Sequence, residues 1–310
     1  MTRPDDSTLS DVERAAVERR VREILDRSSA WGRFPTPVDD ILAAAKLKVA
    51  PRSAFDIAQF VAYVRNKTKA AATTLKSALS KVLGIYDASD RMIHVDDNVT
   101  ESKQTFLKLH ETGHHELPSH RKVFTFFEEC EQTLAPEIAD QFEREANNFA
   151  RFALFQVDAF QKMAADMPIA IKTPITLARK FGASVYSSAR EFARTHHRAC
   201  LVYALEPIEY MPGKPIKAEV RRIEASPAFR QQFGVPQDTF IEGDHPLMKL
   251  LPIGRKMTRP TTLVYADRNG DKHECIGEAF GTRFNVFLLV YVVKTLEQPS
   301  VWVPANLQLS

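Results

Sequence analysis

The run Lys108-Leu109-His110-Glu111-Thr112-Gly113-His114-His115 places two histidines four residues apart with a glutamate beside the first. That spacing is useful only on a helix. Positions i and i+4 share a helical face, so His110 and His114 can turn both imidazoles towards one ion while Glu111, one step round, reaches a water beside it. With 9 His and 39 acidic residues in the chain, such a string arises by chance in roughly one or two per cent of comparable sequences, so its surroundings decide. Thr100 or Ser102 supplies an N-cap, no Pro or Gly interrupts the stretch to Leu109, and Phe106 and Leu109 have the i, i+3 spacing of a buried face. Pro118 ends the helix just past the second histidine. The alternative is a surface helix carrying a polar His-Glu-His cluster.

Catalytic zinc normally takes three protein ligands and leaves a fourth position to water, so a third ligand is required. Residues 136 to 155 read as a second helix, with Pro136 in its first turn and Phe142, Ala146, Phe149 and Ala153 as the buried stripe. Glu143, Asn147 and Ala150 share the neighbouring stripe. A carboxylate at Glu143 could complete the metal site, and the Asn147 amide, one turn on, could hydrogen-bond a ligand histidine and fix its orientation. Glu137 and Glu145 remain rivals by residue type.

The pattern Phe106-x-x-x-His110-Glu111-x-Gly113-His114, followed by Glu143-x-Glu145-Ala146-Asn147-x-Phe149-Ala150, resembles the ImmA/IrrE metallo-endopeptidases. The resemblance implies that His110, His114 and Glu143 hold the metal and that Glu111 is the general base. It also implies a protein substrate, a small helix-turn-helix transcriptional repressor whose cleavage starts a stress or mobile-element response. Zinc is the expected ion, although imidazole and carboxylate ligands accept manganese and other divalent ions as well. The resemblance runs from about residue 35 to 195: Pro35 to Val49 is similar to the family's opening helix and strand, and Leu177 to Ser184 with Arg190 to its helix-turn-helix-like segment. Thr112 departs from the usual aliphatic residue, His115 and Glu116 add polarity, and residues 52 to 81 read as an inserted helical hairpin. Further on, Gly243-Asp244-His245-Pro246-Leu247 and Gly254-Arg255-Lys256-Met257 resemble the GAF-like domain of long, IrrE-like members. That implies a sensory or regulatory role, with a purely stabilising domain as the alternative.

Taken together, the chain reads as α+β: an N-terminal helix (1–34), a zincin-like metallopeptidase domain with a short sheet (35–165), a helix-turn-helix-like segment (166–198) and a GAF-like domain (199–310). Ser10 and Glu13 form a capping box ahead of Val17, Val21, Ile24 and Leu25. Val82 to Tyr86 and Met92 to Val95 read as short strands, and Met92 to Val95 is the candidate open edge on which an extended substrate would align, with an ordinary internal hairpin as the alternative. Cys200 to Leu205, Lys217 to Ile223, Thr262 to Ala266, His273 to Glu278 and Phe284 to Val293 read as strands, with Asn269-Gly270 as a hairpin turn. Pro227 to Phe233 and His245 to Leu250 read as short helices. Tyr186 and Arg190, on the second helix of the helix-turn-helix-like segment, are candidates for stabilising a tetrahedral oxyanion.

A net charge of +3 is too small to point to nucleic acid, and direct DNA binding is not expected. Cys130, Cys200 and Cys275 are scattered and odd in number, which suggests a reduced compartment; Cys130, between two glutamates, is at most a redox-sensitive thiol. The N-terminus lacks the apolar core of a signal peptide, and Phe284 to Val293 falls short of the ~20 residues of a membrane span, so a cytoplasmic protein is expected. The competing reading is a non-proteolytic, metal-stabilised regulator or toxin-antitoxin partner that acts by binding a repressor or DNA.

Overall fold

Ser10 starts the first helix as its sequence predicts. Its hydroxyl accepts the Glu13 amide at 3.3 Å while the Glu13 carboxylate accepts the Ser10 amide at 2.8 Å, so each residue satisfies a donor the other end of the turn leaves open. The computed structural model describes residues 8–50, 84–87, 91–95, 99–120, 136–208, 215–254 and 256–296. The expected hairpin at 52–81 and the thiol of Cys130 lie outside the described residues.

The fold is α+β, and the chain divides into two compact units. One joins Pro4–Met163 to Ile175–Ser188; the other joins Ala164–Pro174 to Ala189–Ser310. In chain order the helices are α1 (Asp11–Arg27), α2 (Val38–Ala44), α3 (Glu101–Glu116), α4 (Pro136–Leu154), α5 (Ala159–Ala165), α6 (Lys172–Phe181), α7 (Val185–Thr195) and α8 (Pro227–Phe233).

In the first unit α4 is the hub. Its Phe142, Ala146, Phe149 and Ala153 are buried, as their spacing predicts, and it packs against both α1 and α3. Val17, Val21, Ile24 and Leu25 of α1 are fully or almost fully buried, each contributing about 1.5–3 kcal/mol by leaving water. At the far end of α1 Arg27 clamps the last residue of α3, with Nη2 2.8 Å from Oε1 of Glu116 and Nη1 3.3 Å from Oε2. Beyond α4, the buried Gln156 accepts the Gly32 amide at 2.8 Å and donates to the Arg33 carbonyl at 2.8 Å, which ties the segment before α2 to this end of the bundle.

A three-stranded sheet accompanies these helices, built from β1 (Lys48–Val49), β2 (Gly84–Asp87) and β3 (Met92–Val95) in the order β1-β3-β2. Here the structure corrects the sequence. Met92–Val95 is the middle strand: β2 pairs along it antiparallel, and β1 runs parallel on its other side, opposite Met92 and Ile93. The hydrogen bonds at those two positions are committed, so β3 is not the open edge expected for a substrate. α6 and α7 are joined by a short turn, with Gly182 at φ +72 and the Ser184 hydroxyl accepting the Ser187 amide at 3.0 Å.

The second unit is built on an antiparallel six-stranded sheet of β4 (Cys200–Leu205), β5 (Lys217–Ala225), β6 (Phe240–Glu242), β7 (Thr261–Ala266), β8 (Lys272–Gly281) and β9 (Val286–Thr295). Their order is β6-β5-β4-β9-β8-β7, which sets the first and last strands side by side in the centre. Alternate residues Leu201, Tyr203 and Leu205 of β4, with Leu288 and Val290 of β9, form one core with Phe229 of α8. The Asn269-Gly270 turn occurs as predicted, with Gly270 at φ +88 and Asp267 accepting the Asn269 and Asp271 amides. The last strand begins at Val286 instead of Phe284 because the Thr282 hydroxyl accepts the amides of Phe284 and Asn285, holding those residues in a turn.

A close contact between α3 and α4 is at Gly113. A Cβ there would lie 3.0, 3.1 and 3.2 Å from Cβ, Cγ and Cδ1 of Phe149, a residue with no exposed surface and no room to retreat. Alanine is the better helix former by about 0.8–1 kcal/mol, whereas overpacking of this kind costs about 1–3 kcal/mol. Gly113→Ala is therefore expected to lower the melting temperature; an unchanged or raised value in a thermal denaturation scan would show that α3 and α4 are not locked at this point.

Candidate metal centre

The last two turns of α3 are buried on every side: Leu109, His110, Glu111, Thr112, Gly113, His114, His115 and Glu116 all lie within the fold. Polar side chains tolerate such burial only with partners. Thr112 hydrogen-bonds its own helix, its hydroxyl donating to the Lys108 carbonyl at 2.7 Å, which is how a threonine occupies a site where an aliphatic residue is usual. Glu116 meets Arg27, as described. His110 and His114 meet the neighbouring helix.

Their Nε2 atoms lie 3.2 Å apart, and Glu143 on α4 faces both, with Oε2 3.3 Å from Nε2 of His110 and Oε1 3.5 Å from Nε2 of His114. The ligand atoms of these three residues all fall within 4.8 Å of one another, a group that could hold a metal ion. The donor set fits a divalent cation: two imidazole nitrogens and one carboxylate converge, and the opposite nitrogen of each ring is occupied. Nδ1 of His110 lies 3.1 Å from Oδ1 of Asn147, and Nδ1 of His114 lies 3.1 Å from Nδ1 of His120. Glu111 is buried on the same turn, one residue on from His110.

Of the rival carboxylates, Glu145 turns away from this group, its Oε2 2.9 Å from Nε2 of His120 and its Oε1 accepting from Gln141 at 2.9 Å. The side chain of Glu137 lies outside the described residues. Arg190 belongs to the second unit, where its Nε donates to Glu224 at 2.8 Å; Arg194 donates to the same oxygen at the same distance. The guanidinium offered for an oxyanion is thus engaged with a buried carboxylate. Tyr186 is half-buried near the start of α7 and is not among the three converging residues.

His120 is the residue that the sequence does not announce. On an unbroken helix it would sit about 240° round from His114, away from it. Leu117 adopts extended backbone (φ −78, ψ 116), and Pro118 then opens a new helical turn that brings the His120 ring back beside His114.

Residues 64–191, which include His110, Glu111, His114, His120, Glu143 and Asn147, match the family model described as the IrrE N-terminal-like domain of the M78 peptidases. This match supports the resemblance to the ImmA/IrrE family. The match starts later than the resemblance from residue 35 suggests, inside the segment that reads as an insertion. No curated protein matches the chain. A solved structure of a Mycobacterium tuberculosis transcriptional regulator aligns with 92% of this chain and 77% of its own, at 14% identity and a TM-score of 0.47. Among the described residues no helix is long and apolar enough to cross a membrane.

The three converging groups shift one another's protonation. Burial raises the Glu143 carboxyl, but hydrogen bonds and charge from His110 and His114 outweigh it and hold the group well below the carboxylate range. Burial pulls His110 down, yet the hydrogen bond to Glu143 and the charges of Glu111 and Glu143 leave it above its ordinary 6.5. Burial dominates at His114, which falls to about 4. The unfolded chain takes up the His114 proton near 6.5, so stability contributed by the neutral ring is present above 6.5 and is lost as pH falls towards 4. His110 acts in the opposite window, its contribution being complete below 6.5 and fading as pH rises through its raised value. In chelator-treated protein, an NMR titration of the histidine ring protons is expected to find His114 still neutral at pH 5 to 6 while His110 titrates above 6.5; two rings titrating together near 6.5 would contradict this coupling.

Proposed function

We propose that this chain is a metal-dependent endopeptidase whose substrate is a helix-turn-helix transcriptional repressor. The observation that carries the reading is the convergence of His110, His114 and Glu143 beside Glu111, on a buried helix pair inside a peptidase-family domain. His110, His114 and Glu143 would hold zinc, or another divalent ion such as manganese, which their nitrogen and oxygen donors also accept. When bound, such an ion supplies Lewis acidity, which makes water a nucleophile near neutral pH and polarises a peptide carbonyl.

The rest of the chemistry falls to the chain. Glu111 takes a proton from the attacking water onto its carboxylate and returns it to the leaving amine nitrogen. Glu143 keeps its negative charge through the physiological range because its carboxyl is held low, and His114, titrating at about 4, offers an uncharged ring nitrogen. Asn147 holds His110 by its far nitrogen. The substrate assignment rests on the family, in which cleavage of a repressor releases transcription, and the sheet-rich second unit would then serve as the sensory, GAF-like part.

The test uses the purified chain with candidate repressors encoded near it, with and without chelator, and mass spectrometry of the products. Cleavage at a single site, abolished by chelator, is expected. Glu111→Gln should keep the metal and the fold and cut about 10²–10⁴-fold more slowly. Wild-type cutting by Glu111→Gln would rule out Glu111 as the general base, and relief of repression in cells by that variant without cleavage would show that the chain acts by binding alone.

A further inference from the structure

We propose that His120 and Glu145 are positioning residues, a carboxylate-imidazole-imidazole relay that fixes the tautomer and ring orientation of His114. The inference rests on the reading of His110, His114 and Glu143 as a metal centre and adds to it the two residues that decide which His114 nitrogen is open to the ion.

The proton placement follows from the contacts in sequence. Oε2 of Glu145 lies 2.9 Å from Nε2 of His120, and a carboxylate oxygen accepts, so a His120 ring that carries one proton holds it on Nε2. The Nδ1 of His120 is then a lone pair. It lies 3.1 Å from Nδ1 of His114, and two nitrogens at that distance form a hydrogen bond only if one carries a proton, which must be that of His114. A neutral His114 with its proton on Nδ1 has its lone pair on Nε2, the atom 3.2 Å from Nε2 of His110 and 3.5 Å from Glu143. With one proton on each ring, each step leaves a single choice. His110 is less tightly specified, because an amide such as that of Asn147 can present either its oxygen or its nitrogen to the ring.

The relay is built as a fixed part of the fold. His120 has no exposed surface, and its ring stacks on Phe142 with centroids 4.0 Å apart and planes 19° from parallel. The second oxygen of Glu145 accepts from Gln141 at 2.9 Å, and the same Gln141 amide donates to Glu13 of α1 at 3.0 Å. The capped first turn of α1 is thereby joined to α4 and, through Glu145 and His120, to His114. A metal-ligating histidine commonly passes its second N–H to a carboxylate or carbonyl; here a second imidazole is interposed. The chain needs that extra link because Glu145 is engaged with His120 and reaches His114 only through it.

The test measures zinc affinity of the full-length chain by competition with a chromophoric chelator, and the visible absorption of the cobalt-substituted protein. His120→Phe keeps the stacking on Phe142 and most of the volume while removing both nitrogens. It is expected to bind zinc about 10–100-fold more weakly and to change the cobalt spectrum. Glu145→Gln can donate to Nε2 of His120, which would reverse both rings and put the proton on the His114 nitrogen that faces Glu143. It is expected to lose affinity as well, and it decides the matter if His120→Phe does not fold. A purely structural role lowers the melting temperature but leaves the dissociation constant unchanged for the folded chain. Wild-type affinity and an unaltered cobalt spectrum in the folded variants would overturn the relay. Failure of the wild-type chain to bind zinc or cobalt would overturn the metal centre itself, whereas tight binding without peptide cleavage would overturn only the peptidase reading and leave the relay standing.

Discussion

The structure of the first unit depends on one awkward fact: α3 buries His110, Glu111, Thr112, His114, His115 and Glu116 in consecutive turns. A helix of this kind would ordinarily place such residues in water, and each polar group withdrawn from it costs free energy unless a partner replaces the solvent. The surroundings are arranged to meet that demand. Arg27 comes from α1 to Glu116, Asn147 and Glu143 come from α4 to His110, and His120 returns after a helix break to His114. Breaking one of these pairs would leave the remaining group buried and alone, which is why the polar turn and its neighbours stand or fall together.

Close approach of α3 and α4 makes those partnerships possible. Gly113 lies against Phe149 with no space for a Cβ, so the two backbones come nearer than most side chains would permit. Glu143 and Asn147, one turn apart on α4, then face His110 together. One glycine thus couples packing to chemistry: the same contact that closes the core sets the reach of the carboxylate. The Glu143 side chain stays 59% exposed, while the two imidazoles that face it are buried.

Much of this was legible in the sequence, because helical periodicity translates spacing directly into shared faces. His110, His114, Glu143 and Asn147 meet as their i, i+4 positions on two helices suggest, and the Ser10 to Glu13 capping box and the Asn269-Gly270 turn form where their residue types call for them. The features that escaped are those decided by a break in periodicity or by distant pairing. His120 reaches His114 only because Leu117 and Pro118 interrupt the helix, and six residues of spacing would otherwise point it away. Glu145 looked like a rival ligand until the ring it serves was in view. Met92–Val95 was expected at a sheet edge, but a two-residue parallel strand at Lys48–Val49 occupies its other side, and so short a strand carries too little pattern to reveal its partner.

The proposed function requires the α3 and α4 pair to hold a three-residue metal centre with a general base beside it. The most direct measurement is X-ray absorption at the zinc edge of the zinc-loaded chain. It is expected to show two imidazole nitrogens at about 2.0–2.1 Å and oxygen donors at about 2.0–2.2 Å, with one imidazole lost in His114→Ala. Sulfur scattering at about 2.3 Å, or a spectrum unchanged by His114→Ala and Glu143→Ala, would place the ion elsewhere and contradict the account.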